Sequence, residues 1–124
     1  MGSEKNPLIS IITVCFNNAD GLEETIQSVI HQTYVEIEFL IIDGGSTDHT
    51  SRILEKYKDS LNLVISESDQ GIYDAMNKGV QKASGDWVIF MNSGDKFYSD
   101  TSISEVFTSD SYSDFAVVFG DWEV

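Results

Sequence analysis

Cysteine and proline each occur once in the 124 residues, and basic side chains are scarce. With Cys15 alone, neither an internal disulfide nor a cysteine-based zinc site can form, which suits a reducing compartment. One proline beside nine glycines excludes a low-complexity chain. Only 7 Lys and Arg stand against 21 Asp and Glu, a formal charge of −14. A field of that sign repels phosphate backbones and anionic lipid surfaces, so no nucleic acid partner is expected. A phosphorylated ligand would need local counter-charge from a divalent cation, a helix N-terminus or a few placed cations. Long apolar runs are also missing. None approaches the roughly 20 residues that span a bilayer, and MGSEKNPLIS has no basic segment followed by an apolar one. The expected location is cytoplasmic, or peripheral at the inner membrane face if the full-length protein is membrane-associated.

What is present is a globular composition, 41% hydrophobic, on a length that bounds the chain to one domain. Residues 1–7 read as an extension and 8–124 as that domain. Leu8 to Phe16 (LISIITVCF) is a near-continuous apolar run, as in a strand buried on both faces. After a polar break, Leu22, Ile26, Val29 and Ile30 repeat at helical spacing, with Asp20 and Glu23 placed as a capping box, and the helix runs to about Gln32. The pattern then recurs: a strand over Ile37 to Ile42, a turn at DGGSTD, a helix over Thr50 to Tyr57, and a short strand over Asn62 to Ser66. Ile72, Ala75, Met76, Gly79, Val80 and Ala83 form one helical stripe closed by Gly85, and Trp87 to Met91 is a fourth strand. A short helix is expected around Ile103–Phe107 and another strand over Phe115 to Phe119.

Strands and helices alternating over such short connections predict an α/β fold with a mostly parallel, right-handed sheet. Loops leaving the carboxyl ends of its strands form the ligand crevice, so Asn17–Gly21, Asp43–Asp48, Ser66–Gly71 and Asn92–Lys96 should converge.

Several residues in those loops have two readings. In DGGSTDHT, Ser46, Thr47 or Asp48 can cap the next helix, yet a cap does not require Asp43 at the strand's mouth. Asp95 can close an Asx turn, or hold magnesium or manganese, which one or two carboxylates bind with phosphate oxygens and water completing the shell. Asp69 reads as a cap, and Asp74, Lys78 and Lys82 as a solvated ion-pair face. Asn77 borders the apolar stripe, where an amide needs a partner, either a neighbouring loop or a ligand. His31 and His49 lack metal-ligand spacing, and Cys15 reads as inert packing.

The ordered set SIITVCFNN, HQTY, LIIDGGSTDHT, GIYDAMNKG and WVIFMNSGD resembles family 2 glycosyltransferases over about residues 8 to 96. Each piece alone is weak; the order is specific. The resemblance implies a GT-A, Rossmann-like fold that stops before the acceptor-binding half. It also implies a nucleotide-diphospho-sugar donor, a saccharide or lipid-linked acceptor, and cell-surface polysaccharide synthesis by an inverting, single in-line displacement. It implies Mn2+ or Mg2+ at Asp95, and a pocket drawn from Val14, Phe16, Asn17, Asp43, Gly44, Asp69, Gly71, Asn77, Asn92 and Gly94. Two departures stand out: the family's usual second Asp is Gly44, and its D-x-D-D-like motif keeps only Asp95, with Asn92 and Gly94 at other positions. The catalytic base is expected beyond Val124, so this chain alone is expected to be inactive. Two rivals remain at this stage: a non-catalytic nucleotide-binding module, and a receiver-like signalling domain, whose acidic pair Asn17 and Asn18 would replace.

Overall fold

The computed structural model describes residues 7–107. The expected strand over Phe115 to Phe119, and the carboxylates Asp121 and Glu123, lie outside the described residues. The described elements are β1 (Ile9–Cys15), α1 (Ala19–Ile30), β2 (Ile37–Asp43), α2 (Thr50–Lys56), β3 (Leu63–Ser66), α3 (Ile72–Lys82), β4 (Trp87–Asn92) and α4 (Ser102–Phe107), with a 3₁₀ turn at Lys58–Ser60.

The four strands pair in the order β3-β2-β1-β4, every pair parallel. This is the expected α/β arrangement, a parallel sheet with flanking helices. The chain steps outward from β1 to β3, then crosses back to place β4 on the other side of β1. Right-handed crossovers in opposite directions put their helices on opposite faces. Accordingly Leu22, Ile26 and Val29 of α1, Ile53 of α2, and Ile103 and Phe107 of α4 pack with Ile9, Ile11, Phe39 and Ile41. Ala75 and Met76 of α3 pack with Ile12, Val14, Leu40 and Ile42. Each of these Leu, Ile, Val and Phe side chains, when fully buried, contributes roughly 1.5–3 kcal/mol. The reversal at β1 and β4 opens a crevice beyond their carboxyl ends.

Helix α3 lies close on β1. A β-carbon at Gly79 would stand 2.5 Å from Ile12 Cγ2, so the absence of a side chain sets that distance. Of the expected stripe, Ala75 and Gly79 are buried, whereas Ile72 and Val80 are 44% and 47% exposed. The correction has a simple cause: among the described elements α3 alone covers this face, so its stripe's margins stay open. Its C-cap is Ala83 rather than Gly85.

The capping box is also corrected. Asn18 is the N-cap of α1, its Oδ1 accepting from Gly21 N–H at 3.2 Å. Glu23 instead accepts from Lys56 Nζ and the Tyr57 hydroxyl, both at 2.7 Å, tying α1 to α2. Helix α1 ends at Ile30, short of Gln32, and β3 begins at Leu63. No described helix is long and apolar enough to cross a membrane.

Candidate functional site

The four predicted loops do converge. Asn17 takes a left-handed backbone (φ 52°), a conformation asparagine tolerates better than most residues, and its amide N–H donates to Ser46 Oγ at 2.8 Å. Its side-chain oxygen accepts from Thr47 N–H at 2.7 Å, so the β1 and β2 loops are pinned together. Asn18 Nδ2 donates to Ser93 O at 3.2 Å, bringing in the β4 loop. Gly94 N–H donates to Gly21 O and Thr25 Oγ1, and Thr25 Oγ1 donates to Asp95 O at 2.7 Å.

Asp43 lies at the centre of this bracing. It is 3% exposed and accepts from Ser46 N–H at 3.1 Å, Ser66 Oγ at 2.8 Å, Cys15 Sγ at 3.4 Å and the Ser46 hydroxyl. Burial alone would raise its pKa; the hydrogen bonds outweigh burial and hold it below the ordinary carboxylate value. Burial and the neighbouring Asp43 push the Cys15 thiol far up, which keeps it inert. Asp48 accepts from Thr50 N–H at 3.0 Å and from the Thr50 hydroxyl, which holds its pKa low, and from Ala19 N–H at 3.1 Å.

On the α3 side of the same edge is a cavity of about 710 Å³, lined by Val14, Cys15, Phe16, Gly44, Gly45, Ser68, Asp69, Gly71, Ile72, Ala75, Asn92 and Ser93. Its walls are largely apolar, and Asp69 is its one carboxylate. Phe16 stands 61% exposed at the edge. Asp69 Oδ1 accepts from Gly71 N–H at 3.1 Å, while the N-cap of α3 is Gly71, without a side-chain cap.

Of the residues expected at the site, Val14, Phe16, Gly44, Asp69, Gly71 and Asn92 line this cavity. Asn17 and Gly94 instead brace the loops around it. Asp43 lies beneath the β2 loop, on the Cys15 side of the sheet, and Asn77 is exposed on α3. Asp95 is half-buried beside the lining residues Asn92 and Ser93, its Oδ2 reaching back to accept from Asn92 N–H, three residues earlier, at 2.8 Å. Cys15, read from the sequence as packing alone, also lines the cavity, and sequence reasoning missed Gly45, Ser68, Ile72, Ala75 and Ser93 as lining residues. All but Ala75 fall in or next to the loops that predict the crevice, so position alone signals them. His49 is exposed and 3.3 Å from Asp20, and Asn17 and Asn18 brace loops where a receiver-like reading needs an acidic pair.

No group of three or more potential metal ligands occurs among the described residues. The arrangement nevertheless fits a cation held partly by its ligand: Asp95 Oδ1 accepts no hydrogen bond from a described residue and lies at the end of β4, next to the cavity.

Comparisons with known proteins agree with this architecture. The Pyrobaculum calidifontis mannosyltransferase PcManGT, solved with GDP-Man and Mn2+, superposes with TM-score 0.75 at 21% identity, over 83% of this chain and 32% of its own. Staphylococcus aureus TarS 1–349 in complex with UDP-GlcNAc gives TM-score 0.66 at 31% identity, over 72% of this chain and 27% of its own. The uncharacterized glycosyltransferase Rv1514c of Mycobacterium tuberculosis H37Rv is 45% identical over 73% of this chain and 35% of its own length. TuaG of Bacillus subtilis 168, a glycosyltransferase provisionally assigned to teichuronic acid biosynthesis, is 37% identical over 76% and 38%. The chain spans only 35% to 40% of the curated relatives it matches. Residues 10–123 match the family described as Glycosyl transferase family 2, and the chain belongs to that family.

Proposed function

We propose that this chain is the donor-binding portion of an inverting glycosyltransferase. In this reading it holds a nucleotide-diphospho-sugar with Mn2+ or Mg2+ for transfer to a saccharide or lipid-linked acceptor in cell-surface polysaccharide synthesis. The observation that carries the reading is the cavity at the β1/β4 reversal, apolar at its walls, with the carboxylate Asp95 beside its lining residues Asn92 and Ser93. UDP-GlcNAc and GDP-Man in the TarS and PcManGT structures, and the teichuronic acid assignment of TuaG, support the donor class and the pathway class.

The division of labour follows from the side chains. Val14, Phe16, Ile72 and Ala75 exclude water from a flat, weakly polar group. Asn92 and Ser93 offer polar contacts at the β4 end. A bound divalent cation supplies the positive charge that neutralises the diphosphate as it leaves, and Asp95 Oδ1, with Oδ2 fixed by Asn92 N–H, is the oxygen that would hold it. Asp43 and Asn17 act at one remove, fixing the β1 and β2 loops that form the cavity wall.

Calorimetric titration of the chain with UDP and GDP tests this. Millimolar Mn2+ should tighten binding by at least roughly tenfold over chelator, because two carboxylates near the site otherwise repel the diphosphate. Equal affinity in chelator and in metal overturns the Asp95 assignment, and no binding of any nucleotide overturns the donor reading.

A further inference from the structure

Gly44 is buried, follows the last residue of β2, and lines the cavity. A β-carbon placed on it would lie 2.8 Å from Asp69 Oδ2 and 3.2 Å from Asp69 Cγ and Oδ1. The Asp69 carboxylate therefore fills the space that any side chain at position 44 would need. It is held from the other side: Oδ1 accepts from Gly71 N–H at 3.1 Å, and Gly71 has φ 110°, a backbone suited to glycine. Oδ2 accepts no hydrogen bond from a described residue. The result is one fixed acceptor oxygen on a half-buried side chain in the cavity that Val14, Phe16, Ile72 and Ala75 also line.

An ionised carboxylate accepts hydrogen bonds and donates none. Phosphate groups avoid it, and the order β3-β2-β1-β4 places the Asp69 loop and the Asn92–Asp95 loop at opposite edges of the sheet. A nucleotide is thus oriented with its diphosphate toward the β4 end and its base toward Asp69. The base edge that meets Oδ2 has to donate. Uracil and thymine present a ring N–H, and guanine a ring N–H beside an amine; cytosine and adenine donate only through their exocyclic amine and place beside it a ring-nitrogen lone pair, which the carboxylate repels.

We propose that Asp69 is the base-reading, specificity-determining residue of this cavity, selecting nucleotides whose base carries a ring N–H donor and rejecting those of cytosine and adenine, with Gly44 kept bare to admit it. The proposal rests on the nucleotide reading above. Buried or half-buried acceptors discriminate strongly because the wrong ligand leaves them unpaired beside a lone pair.

Binding of UDP, GDP, CDP and ADP in the presence of Mn2+, measured calorimetrically on the 124-residue chain, tests it. UDP, GDP or both should bind at least roughly tenfold tighter than CDP and ADP, as expected for one charge-assisted hydrogen bond gained or lost. Asp69→Asn keeps the shape and can still accept from Gly71 N–H, yet its amide can donate to a ring nitrogen, so the UDP-to-CDP ratio should collapse with the melting temperature little changed. Gly44→Ala perturbs the same oxygen from the other side and should also erode the ratio. Equal binding of all four nucleotides by the unaltered chain, or an undiminished ratio in folded Asp69→Asn, overturns the assignment while leaving the nucleotide reading intact. Failure of every nucleotide to bind overturns both.

Discussion

The two faces of the sheet reach the same carboxyl edge and use it differently. On the α1 and α2 face the strand ends are filled: Cys15, Asp43, Ser46 and Ser66 close on one another, and Asp43 is almost fully buried. On the α3 face the residues one step along, Val14, Gly44 and Asn92, open onto the cavity. Alternation of side chains along an extended chain is enough to separate these roles. Asp43 and Gly44 are neighbours in sequence, yet one sets the loop's shape and the other borders the cavity. A carboxylate at a strand's mouth is therefore not by itself a ligand contact.

The sharpest way to break this contrast is Asp43→Asn. Every group facing Asp43 donates, so an amide places its own donors against them, and stability should fall by roughly 2–4 kcal/mol, the cost of losing several charge-assisted bonds in a buried site. The pH profile adds a sign. The folded-state pKa of Asp43 is depressed below the ordinary 3.8, so its stabilisation is present above that value and is lost as the pH falls through the lower folded-state value. Thermal melts from neutral pH down past 3.8 should show this loss in the unaltered chain and a shallower slope in the variant. Unchanged stability would detach Asp43 from the bracing and return it to the ligand.

Gly79→Ala probes the other face with a smaller effect. The new methyl meets Ile12 at 2.5 Å, and the gain from replacing a helical glycine only partly offsets the strain. A net loss of about 1–2 kcal/mol is expected, with weaker nucleotide binding because Ile72 and Ala75 on the same helix line the cavity. A stabilised variant with intact binding would show that α3 is free to shift without consequence for the site.

How much of this was legible beforehand depends on which physical signal each part leaves. The α/β alternation and the convergence of four loops follow from apolar periodicity and turn residues, and the described elements form within a few residues of their expected bounds. Which side of the sheet Asp43 faces was not legible. LIIDGG continues a strand buried on both faces, and such a strand is apolar at every position, so its phase leaves no trace in composition. The approach of Asp69 to Gly44 joins loops 25 residues apart, and Asp69 in isolation reads as a local cap. The capping box failed because Asn18, two residues before Asp20, already offers a competent cap at the point where the chain leaves β1.

The smallest expected effect concerns Asn77. The resemblance carried by GIYDAMNKG implies that this amide belongs to the site, whereas Asn77 is exposed on α3 and absent from the cavity lining, although Ala75 two residues earlier is buried against the sheet. Two residues along a helix turn the side chain by about 200°, which carries position 77 away from the face that position 75 buries. Asn77→Ala should therefore change stability by no more than about 0.5 kcal/mol, the usual range for an exposed substitution, and leave nucleotide affinity within about twofold. Calorimetry with UDP and Mn2+ on the same preparation as its thermal melt reads both. A tenfold loss of affinity at unchanged melting temperature would bring Asn77 into the site through contacts with a ligand that the protein's own side chains do not reveal, and the division between the two faces would then extend to the outer surface of α3.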